Sequence, residues 1–317
     1  MKSTIKQCCL ASLIAMACFA SAGCDDQKNS AGAMPDPAAQ QENTEQQEIA
    51  KFNAYVDAAN GFTYSAASDL AKHIDYMKRQ KKNGDYDAYW VADDTSLKRM
   101  AERLGEARAM KPAMADLDAP AESYGNALNA ALPLVKELND YQDSKGMLAD
   151  GGQKAREKEE QYVTLMTTLA GAQQNFNTAL EKRDDANLRH TFESAKKGSP
   201  DYYRSGIALY AKETMNAGET FFNAYNDEKP SKEIDNQFRQ SLDKLAEMNQ
   251  GCEPLKSEVN DLLGAGRSAL RDAEKGSLAV NHFLKSNMSI RMRSDAVNSA
   301  YMNLINKMNR SGCEARG

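Results

Sequence analysis

From about residue 45 to the C-terminus, apolar side chains recur at steps of three and four residues, and this period constrains the fold more than any other feature. Each apolar stripe is long enough for several helical turns. Alternating runs rich in Val, Ile and Thr, which would indicate strands, are nearly absent. The pattern predicts an all-α fold: an elongated bundle of long antiparallel helices, with two stacked sub-bundles as one arrangement of it.

Helix-breaking residues separate the stripes. Ser199-Pro200 has the form of an N-cap followed by a proline in the first helical turn. Pro133 interrupts one stripe and should kink that helix or lie near its start. We expect the other helix boundaries at Asn83-Gly84, Pro112, Asp118 to Pro120, Gly151-Gly152, Lys229-Pro230, Gly251, Gly276 and Gly312.

The first residues have the form of an export signal that ends in a lipid-attachment cysteine. Two lysines precede an apolar run from Cys8 to Ala22, which is too short and wrongly flanked for a membrane-spanning helix. Small residues lead directly into Cys24. We therefore expect residues 1–23 to be a lipoprotein signal peptide and the mature chain to begin at a lipidated Cys24. Ala20-Ser21-Ala22 also fits the ordinary signal peptidase, whose cut would leave Gly23 first and Cys24 free.

The residues after Cys24 predict a tether and a location. Residues 24–44 are polar and contain Pro35 and Pro37, so they should form a disordered spacer ahead of a helical domain at 45–317. An Asp at the position of Asp25 resembles the signal that keeps lipoproteins on the inner membrane of enterobacteria-like cells. We expect a protein anchored to the envelope by its lipid and facing the periplasm, with the inner membrane favoured.

Cysteine usage supports an oxidising compartment. Three cysteines lie in the signal, Cys24 takes the lipid, and Cys252 and Cys313 remain. In a periplasmic protein such a pair is typical of one disulfide, although two buried thiols are the alternative. The chain has no C-x-x-C sequence, which disfavours a redox role.

Composition and motifs exclude several classes of function. With 40 basic and 45 acidic residues, the chain lacks the concentrated positive charge that binds nucleic acid. No phosphate-binding loop, nucleophile elbow or haem attachment sequence occurs. His190 and Glu193 could share a helix face, but the further ligands of a metal site are missing. We expect no cofactor, no metal and no catalytic residues.

Two aromatic clusters are the candidate binding sites. Tyr86, Tyr89 and Trp90, the only tryptophan, could stack on a small ligand or could seal a joint between helices. Acidic residues among them suit a turn, which favours the joint. The cluster of Tyr202, Tyr203 and Tyr210 has the same two interpretations.

The chain resembles the YiiG-type bacterial lipoproteins. The likeness depends on the lipidated start, the tether and three helical segments: Lys51-Phe52-Asn53-Ala54-Tyr55-Val56-Asp57, Tyr141-Gln142-Asp143 and Val297-Asn298-Ser299-Ala300-Tyr301-Met302-Asn303-Leu304. It extends from about residue 48 to about residue 310. The resemblance implies an all-helical periplasmic domain and supplies no catalytic residues, because the function of that family is not established.

These observations favour a non-enzymatic, lipid-anchored helical module that binds or scaffolds a protein of the envelope. The alternative is a small-ligand or metal-binding lipoprotein with a pocket between helices near Tyr86, Tyr89 and Trp90. A weaker third hypothesis is a hydrolase, which would need convergent acids with perturbed pKa values. A packed joint at Trp90 together with an exposed apolar surface elsewhere would favour the protein-binding role.

Overall fold

A computed structural model describes residues 37–60, 65–83, 90–283 and 286–313. The described residues form ten α-helices and no strand, which confirms the all-α prediction. None of these helices is both long and apolar enough to cross a membrane. The helices are α1 Pro37–Asn60, α2 Ala66–Asn83, α3 Asp94–Ala109, α4 Ala115–Asp143, α5 Gly146–Asp150, α6 Gln153–Ser194, α7 Pro200–Asn226, α8 Lys232–Met248, α9 Lys256–Glu274 and α10 Met288–Met308.

The described chain divides into two compact units. The N-terminal unit contains α1 to α5 and residues 153–183 of α6, and the C-terminal unit contains residues 184–194 of α6 and α7 to α10. A division into two sub-bundles was one of the arrangements that the sequence predicts, and their stacking stays a prediction.

Helix α1 begins before the expected domain boundary at residue 45. Residues 37–44, which we expected to belong to the disordered tether, are helical, with Pro37 in the first position. The side chains from Asn43 to Gln47 are exposed, and the Gln47 amide donates to the Asn43 side chain one turn earlier at 2.9 Å. Glu45, Gln46 and Gln47 have good helix propensity, so this part of α1 is helical although its side chains are exposed. Cys24 and the rest of the tether lie outside the described residues.

Three helices of the N-terminal unit meet around Phe176. Helix α3 packs between α1 and α4. The ring of Phe176, on α6, lies 5.8 Å from the ring of Tyr55 on α1 and 5.9 Å from that of Tyr124 on α4. All three side chains are buried, so this aromatic cluster joins α1, α4 and α6 at the centre of the unit.

The C-terminal unit contains an antiparallel four-helix bundle. Helix α7 packs on α8, α8 on α9, α9 on α10, and α10 closes the ring on α7. Arg204, at the start of α7, donates to the carbonyl of Met308 at the end of α10. Asn226, at the end of α7, accepts from Asn287, which precedes α10. Consecutive helices therefore run up and down, as short connections require.

Gly266 explains the Gly-Ala-Gly sequence inside α9. A Cβ atom at Gly266 would lie 2.7 Å from Leu242 Cδ2 on α8. The residue is thus small because two helices approach each other there, not because the backbone turns. The whole segment lies inside α9.

Most helix boundaries follow the predicted breakers. Ser199 caps α7, and its side chain accepts from the Tyr202 amide. The boundary expected at Asp118 to Pro120 is wrong, because these residues lie within the first two turns of α4. There the Asp118 carboxylate accepts from the Met114 amide at 2.9 Å, which satisfies a donor at the start of the helix. Pro133 lies near the middle of α4 rather than near its start.

Candidate functional site

Trp90 lies directly before α3 and bonds to α2, and the segment that carries it also bonds to α6. Its indole Nε1 donates to Asp69 Oδ1 at 3.0 Å, and its carbonyl accepts from His73 Nδ1 at 2.6 Å. Two residues later, the Ala92 amide donates to the Tyr162 hydroxyl at 3.0 Å. Bonds from two helices, α2 and α6, therefore hold the residues that precede α3. Tyr86 and Tyr89, the other members of the predicted cluster, lie outside the described residues.

The two titratable groups beside Trp90 are shifted toward their neutral forms. Burial raises the pKa of Asp69 to about 6, although the bond from Trp90 and the charge of Lys72 oppose the shift. Asp69 Oδ2 is buried and has no hydrogen-bond partner in the described part of the chain. Burial also lowers the pKa of His73, whose ring lies 4.2 Å from that of Tyr162. A buried charge is costly here, so both groups favour neutrality.

The indole of Trp90 is anchored on one edge and accessible elsewhere. Its side chain is 37% exposed, and Lys72 Nζ lies 4.5 Å from the ring centroid in a cation–π contact. The hydrogen bonds of Trp90 to Asp69 and His73 are typical of a packed contact between helices. The stacking of a ligand on Trp90 stays a prediction.

Lys51 and Tyr55, two residues of the Lys51-to-Asp57 segment, form a buried polar network with Asp118. Lys51 is fully buried, and its Nζ lies 2.8 Å from Asp118 Oδ1. The same ammonium donates to the carbonyl of Met110 at 3.0 Å, and the Tyr55 hydroxyl donates to Asp118 Oδ1 at 2.5 Å. The network ties α1 to the turn between α3 and α4.

This network is structural in character. Burial raises the pKa of Asp118, but bonds from Lys51 and Tyr55 outweigh it and hold the pKa below its ordinary range. The carboxylate is thus ionised and fully committed to its partners. In the sequence, Lys51 and Tyr55 were notable only as part of the family likeness. The signal for this network in the sequence was the spacing of the two residues by one helical turn, with a lysine among apolar residues.

Lys212 makes a comparable network in the C-terminal unit. Its ammonium pairs with the buried Asp184 and, at 2.7 Å, with the exposed Asp185. Burial raises the pKa of Asp184, and the charge of Lys212 opposes that shift. The pair links the α6 segment of this unit to α7.

Four aromatic rings form a surface in the C-terminal unit that we call the tyrosine shelf. The ring centroids of Phe192 and Tyr202 are stacked 4.9 Å apart, and Phe192 also meets Tyr210 edge-on at 5.4 Å. Tyr203 contacts Tyr202 at 5.4 Å. The shelf is the second aromatic cluster predicted from the sequence, with Phe192 as the member that sequence analysis missed.

The shelf differs from the buried tyrosines Tyr55 and Tyr162 in its exposure and in its hydroxyl groups. All four side chains are half-buried. The buried hydroxyls of Tyr55 and Tyr162 bond within the protein, whereas those of Tyr202, Tyr203 and Tyr210 have no hydrogen bond within the described residues. The shelf therefore presents both apolar ring faces and uncommitted polar groups to solvent.

The protein contains the expected disulfide between Cys252 and Cys313. Their Cα atoms lie 4.9 Å apart, and both side chains are buried. The bridge joins the turn between α8 and α9 to the residues after α10. His190 and Glu193, by contrast, are exposed on α6, and no three His, Cys, Asp or Glu side chains of the described ranges form a possible metal site.

Comparison with known proteins gives one result. Residues 46–310 match the family model described as Protein of unknown function (DUF3829), a range that includes parts of both units. No curated protein and no solved structure matches the chain. The finer likeness to YiiG-type lipoproteins stays a prediction. Because the matched range is most of the sequence, the chain belongs to the DUF3829 family of proteins of unknown function.

Proposed function

We propose that this protein is a lipid-anchored, non-enzymatic helical module of the bacterial envelope, which faces the periplasm and binds a partner protein through the tyrosine shelf. The shelf is the observation that carries the proposal. Tyr202, Tyr203, Tyr210 and Phe192 contact one another on the surface, half-buried, with three hydroxyls uncommitted within the described part of the chain.

Tyrosine is suited to protein recognition for a physical reason. It contributes a large apolar area at a small entropic cost and carries a hydroxyl that can bond across an interface, so it is enriched in binding hot spots. Charged residues border the shelf at Tyr210, where Lys244 Nζ lies 5.6 Å from the ring centroid. Glu213 lies 3.3 Å from Lys244 and 3.0 Å from Arg189. An aromatic centre with a charged rim is the usual composition of a protein interface.

The charged clusters support a non-enzymatic role. Lys51 with Asp118, and Lys212 with Asp184, neutralise one another within helix joints. A catalytic acid or base must instead reach a substrate atom. Stabilisation of the fold is therefore a sufficient role for these two ion pairs.

The anchor is supported by the sequence of the first residues. The apolar run and the small residues before Cys24 favour lipid attachment, and Asp25 favours retention at the inner membrane. A diacyl or triacyl group supplies more than one chain, which suffices for stable attachment.

Site-specific photo-crosslinking in cells would test the partner. A photoreactive phenylalanine analogue at Tyr202 should crosslink one defined envelope protein, and the same analogue at Leu148, which is 68% exposed in the N-terminal unit, should not. Tyr203→Phe together with Tyr210→Phe keeps the rings and removes two hydroxyls, so it should reduce the yield. Equal crosslinking from both positions, or none from Tyr202, would contradict the proposal.

A small-ligand role near Trp90 is the second candidate. The observations that favour it are the exposed part of the indole and the buried Asp69 Oδ2, which lacks a partner among the described residues. Native mass spectrometry of protein extracted gently from its membrane would test it. A retained small molecule that is lost in Trp90→Ala would support a carrier, and an acylated mass without addition would favour the protein-binding role.

A further inference from the structure

Two rings of the tyrosine shelf lie against the backbone at glycine residues. Gly251 lies in the turn between α8 and α9, and a Cβ atom there would overlap the ring of Tyr203, to which its three nearest atoms belong. Gly206 is buried on α7, and a Cβ atom there would lie 2.9 Å from Phe192 Cε2 and 2.5 Å from Met248 Sδ. Carbon atoms in favourable contact are about 3.5–4.0 Å apart, so a side chain at either position would displace these neighbours.

The space around Gly206 and Gly251, and not their backbone conformation, requires glycine. Neither residue has a positive φ, so the backbone at both positions is one that other residues adopt. In the sequence Gly251 marks only the end of a helix. The structure shows that its second role is to leave room for the ring of Tyr203.

The two rings that lie on these glycines contact the rest of the shelf. Tyr202 contacts both of them, at 4.9 Å from Phe192 and 5.4 Å from Tyr203 between ring centroids. Tyr210 contacts Phe192 at 5.4 Å. A displacement of Phe192 or Tyr203 would therefore disturb the positions of all four rings.

The turn that carries Gly251 is itself held in place. The next residue, Cys252, forms the disulfide with Cys313. Asn249 Nδ2 donates to Asn260 Oδ1 on α9 at 2.7 Å. The ring of Tyr203 thus packs against a backbone segment that is fixed on both sides of Gly251.

We propose that Gly251 and Gly206 are positioning residues of the tyrosine shelf, which hold Tyr203 and Phe192 against the backbone so that the binding surface is formed before a partner arrives. This inference rests on the proposed role of the shelf in binding a partner protein. A side chain that is already ordered loses less conformational entropy on binding, which strengthens the complex. The two glycines act through the rings and need not contact the partner.

Gly251→Ala tests the proposal in cells. The photoreactive phenylalanine analogue is placed at Tyr202 in otherwise wild-type protein and in the Gly251→Ala variant, at equal expression. The added methyl group must move the ring of Tyr203, so the crosslinked fraction should fall at least about fivefold, as when a residue important for binding is lost.

The same four-helix bundle offers two matched controls. A Cβ atom at Gly266 would lie 2.7 Å from Leu242 Cδ2, so Gly266→Ala adds the same methyl group at a crowded position away from the shelf. No atom lies within 4 Å of a Cβ atom at Gly264, so Gly264→Ala adds it in open space. Both variants should crosslink from Tyr202 as the wild type does.

A double-mutant cycle tests the geometry without a partner. The mature chain, residues 24–317 with Cys24→Ser, is unfolded in urea and followed by circular dichroism. Gly251→Ala should lower the unfolding midpoint of the C-terminal unit. In a Tyr203→Ala background the same substitution should have no effect, because the ring that the methyl group would overlap is gone.

The outcomes separate this inference from the proposed function. Wild-type crosslinking by Gly251→Ala, or a loss no larger than that of Gly266→Ala, overturns the positioning role, as does an equal shift in the unfolding midpoint in both backgrounds of the cycle. A wild type that gives no crosslink from Tyr202 contradicts the proposed function. The cycle, which needs no partner, still decides whether Gly251 positions Tyr203.

Discussion

Replacement of Asp69 by Asn should change how the stability of the N-terminal unit depends on pH. In the folded protein the carboxyl group is 1% exposed, and burial raises its pKa to about 6 from an ordinary value of 3.8. Asn has a similar shape and keeps a carbonyl oxygen that can accept from Trp90 Nε1. The variant therefore removes the titration and preserves the hydrogen bond that Trp90 makes.

The sign and size follow from proton linkage. Since the folded state binds the proton more tightly than the unfolded state, Asp69 contributes stability below pH 4 and loses it as the pH rises through about 6. The difference between the two pKa values corresponds to a fall of about 3 kcal/mol in the free energy of unfolding. Between pH 4 and pH 7.5, the free energy of unfolding of Asp69→Asn should therefore rise relative to that of the wild type by up to about 3 kcal/mol.

Trp90 supplies the assay. It is the only tryptophan and it bonds to Asp69, so urea unfolding followed by its fluorescence reports on the N-terminal unit. Both proteins would be unfolded at several pH values between 4 and 8. The informative quantity is the difference in the free energy of unfolding between the two proteins. Burial lowers the pKa of the neighbouring His73, so below the ordinary pKa of histidine this group makes both proteins more stable as the pH rises, which opposes the effect of Asp69.

A difference in stability that does not vary with pH would refute the reasoning. So would a midpoint of the Trp90 emission change near pH 4 in the folded wild type, since the carboxyl group would then titrate as an exposed one. A neutral control is Asp75→Asn, on the same helix, where the side chain is exposed and pairs with Arg79. That variant should change stability by less than about 1 kcal/mol at every pH.

Three further predictions follow, two from the packing and one from the sequence of the first residues. Lys51→Met should destabilise the N-terminal unit by about 3 kcal/mol in urea unfolding, because Asp118 loses its buried partner. Tyr55→Phe, which removes one hydrogen bond to Asp118, should destabilise it by about 1.5 kcal/mol. A loss below about 0.5 kcal/mol for either variant would contradict the network. Cys313→Ser should cost the C-terminal unit about 4 kcal/mol and leave Cys252 reactive only after unfolding, whereas thiols that react in the native wild type would show that no bridge forms. Cys24→Ser should yield unprocessed, unacylated precursor by mass spectrometry, and normal processing would refute lipid attachment.

The helical period predicts the fold class and most helix boundaries, because apolar burial on one face is what stabilises these helices. The period does not predict a helix boundary that depends on individual polar contacts. Asp118 to Pro120 read as a breaker, yet the bonds of Asp118 to Lys51 and Met114 stabilise a helix start there. Apolar residues also continue the helical period from Ile49 to Met77, although this range covers two helices, α1 and α2. Asn60-Gly61 is the stop signal in the sequence between them.

The candidate sites were predictable only as residue types. Tyr202, Tyr203 and Tyr210 are close in sequence and were found, whereas Phe192 joins them from another helix. The exposure of Met288 and Met292 was not predicted, because the residue type alone does not distinguish an exposed methionine from a buried one. The pairing of Lys51 with Asp118 depends on a separation of 67 residues, which no local pattern contains.

The disulfide and the tyrosine shelf lie at the same end of the bundle, and this gives the bridge a consequence for binding. A Cβ atom at Gly251 would lie 2.0 Å from Tyr203 Cδ2, so the ring of Tyr203 lies directly against the backbone next to Cys252. Arg204, the following residue, donates to the carbonyl of Met308, five residues before Cys313. The bridge thus fixes both backbone segments that support Tyr203. Its stabilisation acts at the shelf itself, so reduction should weaken partner crosslinking from Tyr202 under conditions in which α-helical content is still native.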